Sequence, residues 1–263
     1  MAKLSIIVPV FNEAPELRRV VKSLMESPCP VEREWIFVDD ASTDGSLSIL
    51  RELSAEYGFQ VVAQPTNRGK GRAVKTGIDL ATGSLIMIQD ADYEYDPCDV
   101  PALLEPILAN KADVVYGSRF KRTSNQVHRT LHYSVNRFLT FASNYLSGIY
   151  LTDMETCYKI FRAPIIKSMK LKSRRFGIEV ELTAYVAKLR VRIHEIPISY
   201  FPRQKLQGKK INWRDGVAAM VHLVRFNLFT SLEQAFDRPE QFMETLQQSY
   251  DLPQFNYLKG LKE

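Results

Sequence analysis

"SLIMIQDADYEYDP", Ser84 to Pro97, decides how this chain is read. Leu85 to Ile88 form an uninterrupted aliphatic run, the pattern of a short strand buried on both faces. Behind it Asp90, Asp92, Glu94 and Asp96 occupy alternate positions. Carboxylates this close repel one another unless water screens them or a cation lies between them. The stretch is therefore either a solvated turn or a metal site, set where a strand ends.

Working outward, the same strand-then-helix unit recurs. "KLSIIVPVFNE" reads as a buried strand, and "APELRRVVKSLMES" spaces Leu17, Val20, Val21 and Leu24 for one helix face. "EWIFVDD" and "FQVVAQP" read as further strands, followed by helical patterns over "GSLSILRELSAEYG" and "GRAVKTGIDLATG". "VPALLEPILAN" is a helix and "ADVVYGSRF" a strand. Such alternation predicts an α/β fold with a mainly parallel sheet flanked by helices and right-handed crossovers. Ligands of such sheets bind outside the carboxyl ends of the strands. Pro9 to Glu13, Asp39 to Gly45, Gln89 to Asp92 and Gly117 to Phe120 would then meet on one edge.

Beyond Phe120 the alternation loosens. "VHRTLHYSVNRFLTFASNYLSGI" and "GIEVELTAYVAKL" read as helices, while "TCYKIFR" and "RIHEIPISYFPR" read as strands. The expected organisation is one domain over residues 1–216 and a helical appendage over 217–263. Within the appendage "VAAMVHLVRFNLF", Val217 to Phe229, is shorter than the ~20 apolar residues of a spanning helix. His222 and Arg225 interrupt it, so it suits a membrane interface, a partner subunit or the body of the protein itself.

The 263 residues, 45% hydrophobic and 25% charged, describe a globular chain and exclude a disordered one. Net charge is +5, but Arg162 to Arg214 hold fourteen lysines and arginines against Glu179, Glu181 and Glu195. That imbalance suggests an anionic partner such as a phosphate, nucleic acid or membrane face. Cys29, Cys98 and Cys157 are odd in number and far apart, which indicates neither a disulfide framework nor a zinc finger. The N-terminus lacks the apolar core of a signal peptide, and a reducing, cytoplasmic setting is expected.

Several constellations invite chemistry. Asp90 and Asp92, with Glu94 next in the alternation, are oxygen donors of the kind that hold magnesium or manganese on a phosphate. Asp40 suits hydrogen bonds from a nucleotide's base or ribose, whereas Asp44 and Ser46 suit capping or turn formation. "NRGKGRAVKTG" lacks the GK[ST] of a Walker A loop. Lys70 and Arg72 approach a nucleotide there, or Gly69 and Gly71 merely make a turn. His128 and His132 have the zincin spacing without its glutamate, and no nucleic-acid motif is present.

Taken in order, "VPVFNE", "VDDASTDGS", "NRGKGRAVKTG" and "DADYEYDP" resemble the successive signatures of inverting family 2 glycosyltransferases of GT-A (Rossmann-like) fold. "VVYGSRF", "TDMETCYKIFR", "RFGIEVELTAYVAK" and "EIPISYFPRQKLQGKKINWRDG" resemble its polyprenyl-phosphate sugar synthase branch, related to dolichyl-phosphate mannose synthase. The resemblance covers nearly all of Leu4 to Gly216. It implies that Pro9, Phe11, Glu13 and Asp40 surround the nucleotide, with Phe11 where tyrosine is common. It implies Mn2+ or Mg2+ on Asp90 and Asp92, with Glu94 at a position that is often glutamine. "DADYEYDP" departs from the "DADxQHPP" of mannose synthases, which weakens GDP-mannose as donor.

The implied reaction is direct displacement at the anomeric carbon of a nucleotide sugar. Arg119 and Arg203, beside the metal ion, would neutralise the departing diphosphate. A hydroxyl acceptor needs a general base, for which Glu179 and Glu181 are candidates, although both could equally be structural partners of nearby arginines. A polyprenyl phosphate is already anionic and needs cations, for which Arg129, Arg137 and Lys159 are candidates. The expected protein is a peripheral enzyme at the cytoplasmic membrane face, with homo-oligomers possible. The alternatives are transfer to a saccharide or protein hydroxyl, and an inactive nucleotide-sugar-binding module.

Overall fold

The computed structural model describes residues 2–121, 130–175, 177–202, 213–240 and 244, and it omits the side chains of 130–132, 213–215 and 217. The strands are β1 (Lys3–Val10), β2 (Glu32–Asp39), β3 (Gln60–Ala63), β4 (Leu85–Ile88), β5 (Val114–Ser118), β6 (Lys159–Arg162) and β7 (Ile193–Pro197). They form one sheet in the order β3-β2-β1-β4-β6-β5-β7. The helices are α1 (Ala14–Glu26), α2 (Ser46–Tyr57), α3 (Lys70–Leu80), α4 (Val100–Leu108), α5 (Thr130–Ser147), α6 (Ala163–Lys167), α7 (Ile178–Leu189), α8 (Trp213–Leu228) and α9 (Leu232–Ala235).

Helix α1 buries Leu17, Val20, Val21 and Leu24, the four residues whose spacing predicts its inner face. Strand β4 is buried at all four positions because β1 and β6 flank it in the sheet and helices cover both faces. The β1–β2, β1–β4, β2–β3 and β5–β7 pairings are parallel, as the alternation predicts.

Strand β6 is the exception, antiparallel to both β4 and β5. A short apolar strand carries no sign of its direction, so "TCYKIFR" alone reads equally well either way. The reversal matters for function. It brings the start of β6, with the segment before it, to the edge where β4 and β5 end: Lys159 lies in register with both Ile88 and Tyr116.

Under the opposite edge, Asp113 is fully buried and takes ion pairs from Arg162 at 3.2 Å and Arg192 at 2.8 Å. Two members of the basic stretch thus serve the fold. Helix α8 packs against α5 and α7, burying Leu223 and Phe226. It begins at Trp213, so the expected boundary at 216 falls within it. No helix among the described residues is long and apolar enough to cross a membrane.

Candidate active site

The loops after β1 and β2 are stapled together at the strand ends. Asn12, held at φ 53°, accepts the Thr43 N–H at 2.8 Å while its own N–H reaches Ser42 Oγ at 3.0 Å. Asp44 and Ser46 cap, as their composition suggests: they accept the N–H groups of Ala14 and Glu13 at the start of α1 at 2.9 Å each, and Asp44 also accepts the Ser46 N–H at the start of α2 at 3.0 Å. Pro9, Phe11 and Glu13 are half-buried around this junction.

Asp40 is 2% exposed, and its two oxygens accept the N–H groups of Arg68 at 2.9 Å and Gly69 at 2.7 Å. It fixes the loop that opens α3. That loop in turn aims Lys70 back across the sheet edge. The Lys70 ammonium stands 2.7 Å from Asp90 and 2.9 Å from Glu179, and Glu179 continues to Lys159 at 2.8 Å. Asp90, Lys70, Glu179 and Lys159 therefore form one chain of alternating charge. Burial opposes the Lys70 charge, but its neighbours, Asp90 above all, hold its pKa well above the ordinary lysine value.

The other expected residues have partners of their own. Asp92 accepts the Glu94 N–H at 3.0 Å, and Glu94 accepts the Tyr200 hydroxyl at 2.6 Å. Lys159 is fully buried, enclosed by Glu179, the Thr156 carbonyl and the Tyr116 ring. Arg137 is exposed on α5 and donates to the Thr152 carbonyl at 3.4 Å. Glu181 is fully buried and accepts the N–H groups of Lys172 and Ser173 at 2.8 Å each. Its partners are backbone groups, not the arginines that composition suggests. Arg129, Arg203 and His128 lie outside the described residues, and so does the His132 side chain.

Arg119 is joined to Asp153 by three hydrogen bonds, from its Nε at 2.6 Å, Nη2 at 2.7 Å and backbone N–H at 3.0 Å. Burial opposes the guanidinium charge and Asp153 more than restores it, so the pKa lies well above the usual value. Glu195 of β7 holds this arrangement from behind, accepting the N–H groups of Thr152 at 2.8 Å and Asp153 at 3.0 Å. Glu155 lies two residues further on. Burial, then the neighbouring Glu179 carboxylate, push its pKa up to about 7 against the pull of Lys159 and Arg119.

Sequence reasoning assigned no role to Asp153, Glu155 or Glu195. Their signal is weak: single acids in "TDMETCYK" and "RIHEIP", each surrounded by residues that read as strand or turn.

Among the described residues no three acidic, histidine or cysteine side chains converge as a metal cluster, so Asp90, Asp92 and Glu94 do not form one together. Glu94 is engaged by the Tyr200 hydroxyl. Asp90 and Asp92 remain an oxygen-only pair at a strand end. A pair of this kind fits a hard divalent ion whose other ligands come from a diphosphate and water.

Comparison with known proteins agrees with this edge. The profile of a family described as Glycosyl transferase family 2 matches residues 5–169. A dodecaprenyl-phosphate galacturonate synthase of Rhizobium johnstonii is 30% identical over 212 residues, 77% of this chain, which spans 60% of that protein's length. Glycosyltransferase AglJ of Haloferax volcanii is 29% identical over 84% of this chain and 70% of its own. Among solved structures, glucosyl-3-phosphoglycerate synthase of Mycobacterium tuberculosis, with manganese, UDP-glucose and phosphoglyceric acid, superposes with a TM-score of 0.62. It is 18% identical over 86% of this chain and 79% of that one, a likeness of fold. Because the family match runs through every strand end of the acidic edge, from β1 to the start of β6, the chain belongs to glycosyltransferase family 2 and has the GT-A fold.

Proposed function

We propose that this glycosyltransferase moves a hexose from a nucleotide sugar to a polyprenyl phosphate, with inversion, at a membrane surface. One observation carries the choice of acceptor. Both carboxylates considered as general bases are engaged: Glu179 by Lys70 and Lys159, Glu181 by two backbone N–H groups. A phosphate acceptor needs no base, because its oxygen is already anionic.

In this reading an acceptor phosphate oxygen attacks the anomeric carbon as the bond to the diphosphate oxygen breaks, and the electron pair leaves with the nucleoside diphosphate. Lys70, held between Asp90 and Glu179, lies at the edge where that charge accumulates and is a hydrogen-bond donor there. Asp90 and Asp92 would hold a manganese or magnesium ion, which supplies further charge neutralisation on the diphosphate. Arg119, already balanced by Asp153, orients groups rather than adding net charge. Its guanidinium also covers the Tyr200 ring, 5.1 Å from the centroid.

The membrane part of the proposal is supported by the outer face of α5. Phe138, Phe141 and Tyr145 follow helical spacing there and are 57%, 69% and 81% exposed. Aromatic side chains in such a row suit a lipid interface. The dodecaprenyl-phosphate relative supports the same acceptor class.

A second reading rests on Glu155. A carboxyl group with a pKa near 7 is poised to take a proton, which is what a hydroxyl acceptor requires.

Nucleoside diphosphate release from a panel of UDP- and GDP-sugars, with manganese or magnesium, separates the two. Release that depends on a short polyprenyl phosphate supports the first reading. Release with saccharide hydroxyls, but not with the lipid phosphate, overturns it in favour of the second.

A further inference from the structure

A cavity of about 950 Å3 opens between the start of α3 and the segment that leads into α7. Its lining includes Arg68, Arg72, Lys75, Lys172, Arg174 and Arg175, and no acidic residue among the described ones. None of Asp40, Lys70, Asp90, Asp92 or Glu179 lines it. Lys70 turns towards Asp90, whereas Arg72, on the same helix, is exposed at the cavity. We propose that this cavity is a binding site for a phosphate-bearing polyanion, lined by residues other than those of the acidic catalytic edge that it adjoins.

Part of the basic stretch serves the fold. Arg162 and Arg192 neutralise Asp113, Lys159 pairs with Glu179, and Lys170 pairs with Asp237. Lys75 pairs with Asp79 at 3.2 Å. Among the described residues, Arg72, Lys172, Arg174 and Arg175 form no ion pair. Four cations without an ion pair among the described residues therefore converge here.

Their convergence is built into the backbone. A Cβ on Gly69 would lie 2.4 Å from the Arg174 carbonyl oxygen, and a Cβ on Gly71 would lie 2.4 Å from that of Ser173. Glycine at both positions lets two basic segments touch although they are about a hundred residues apart. The Arg72 N–H completes the junction by donating to the Arg174 carbonyl at 3.3 Å. Glu181 fixes the second segment from inside, taking its backbone N–H groups and leaving the Lys172 side chain outside. With the backbones held in this way, the like charges are grouped in one place, which favours an anion between them.

Two further features point to phosphate. Ser173, which also lines the cavity, is 8% exposed, and its hydroxyl has no hydrogen-bond partner among the described residues. A buried donor without a partner is costly, and a phosphate oxygen removes that cost. The cavity also falls in the range of roughly 300–1,000 Å3 typical of small-molecule sites, large enough for more than one phosphate group. Anionic lipid headgroups and soluble polyphosphates share this chemistry.

The test uses the full chain and two probes at physiological ionic strength, where scattered surface charges are screened. Calorimetry with inorganic tripolyphosphate reports the soluble source. Cosedimentation with phosphatidylcholine vesicles, with and without phosphatidylglycerol, reports the headgroup source. A triple variant, Arg72→Gln, Lys172→Gln and Arg174→Gln, removes three exposed cations, and Lys22→Gln, Arg51→Gln and Lys111→Gln form the charge-matched control. Lys70→Met separates out binding at the catalytic edge.

At least one probe is expected to bind about tenfold or more weakly to the cavity variant, with the control and Lys70→Met variants close to wild type. The probe that responds names the source. Equal binding by the wild type and the cavity variant, equal loss in the control, loss confined to Lys70→Met, or no binding of either probe overturns the proposal.

Discussion

Lys70 Nζ stands 2.7 Å from Asp90 Oδ1, so the first carboxylate behind β4 already faces a cation supplied by α3. Lys70→Met removes that cation and leaves Glu179 with Lys159 alone. Since the Lys70 and Asp90 side chains are 15% and 24% exposed, water softens the penalty below that of a fully buried pair. A stability loss of about 2 kcal/mol is expected by urea unfolding. Donor binding should weaken about tenfold in the same variant. In a double-mutant cycle with Asp90→Asn the two losses should be clearly less than additive; strict additivity would show that the pair carries no coupling.

Asp153→Asn keeps the shape of the Arg119 contact and removes its charge. Both residues are buried, and Arg119 would keep an unbalanced charge beneath Tyr200. The expected cost is about 3 kcal/mol of stability, with a fall in turnover. Glu195→Gln should act in the same direction but more weakly, because it touches Arg119 only through the Thr152 and Asp153 backbone. A Glu195 variant costlier than the Asp153 variant would contradict that order.

These two sites also show what the sequence could disclose. Strand ends carrying Asp40, Asp90 and Asp92 were legible because buried strands and amphipathic helices have periods of their own. The partners of those residues were not. Arg119 looks like a free cation until the antiparallel β6 brings the segment before it, and with it Asp153, to the same edge. Glu179 reads as a base or a structural partner and Lys159 as an acceptor ligand; their 2.8 Å contact, which the sequence does not disclose, joins them in one ion pair. Pairings of this kind depend on strand direction, which local composition does not encode.

Asp92→Ala tests the metal assignment. The variant should lose the manganese dependence of donor affinity, and its unfolding midpoint, measured alongside, separates that loss from a loss of fold. Calorimetry of a nucleoside diphosphate with and without manganese gives the answer. Unchanged affinities under both conditions would remove Asp92 from the metal site.

Phe138→Ser, Phe141→Ser and Tyr145→Ser together test the membrane face. All three side chains are more than half exposed, so the fold should tolerate the change. Cosedimentation with neutral phosphatidylcholine vesicles is expected to fall about tenfold. Deleting residues 217–263 is a poorer test, since it would strip Leu223 and Phe226 from the buried face of α8. Equal sedimentation of the triple variant and the wild type would place the membrane contact elsewhere.

Glu155 makes the pH dependence specific. Its Oε1 is buried without a partner among the described residues, and burial and then Glu179 raise its pKa to about 7. In the unfolded chain the same group titrates near the ordinary glutamate value of about 4.3. Below that value it is protonated in both states and favours neither. Between that value and about 7 only the unfolded chain is ionised, so the folded state loses stability as pH rises; above about 7 the loss is complete. Glu155→Gln cannot ionise and escapes the loss. Its stability relative to wild type should therefore rise by on the order of 2 kcal/mol from about pH 5 to about pH 8. A difference that stays constant over this interval would mean that Glu155 is ionised throughout. If the transfer also proceeds undiminished in Glu155→Gln, the acceptor needs no base from this residue, as a phosphate acceptor requires; loss of transfer with retained donor binding would instead favour a hydroxyl.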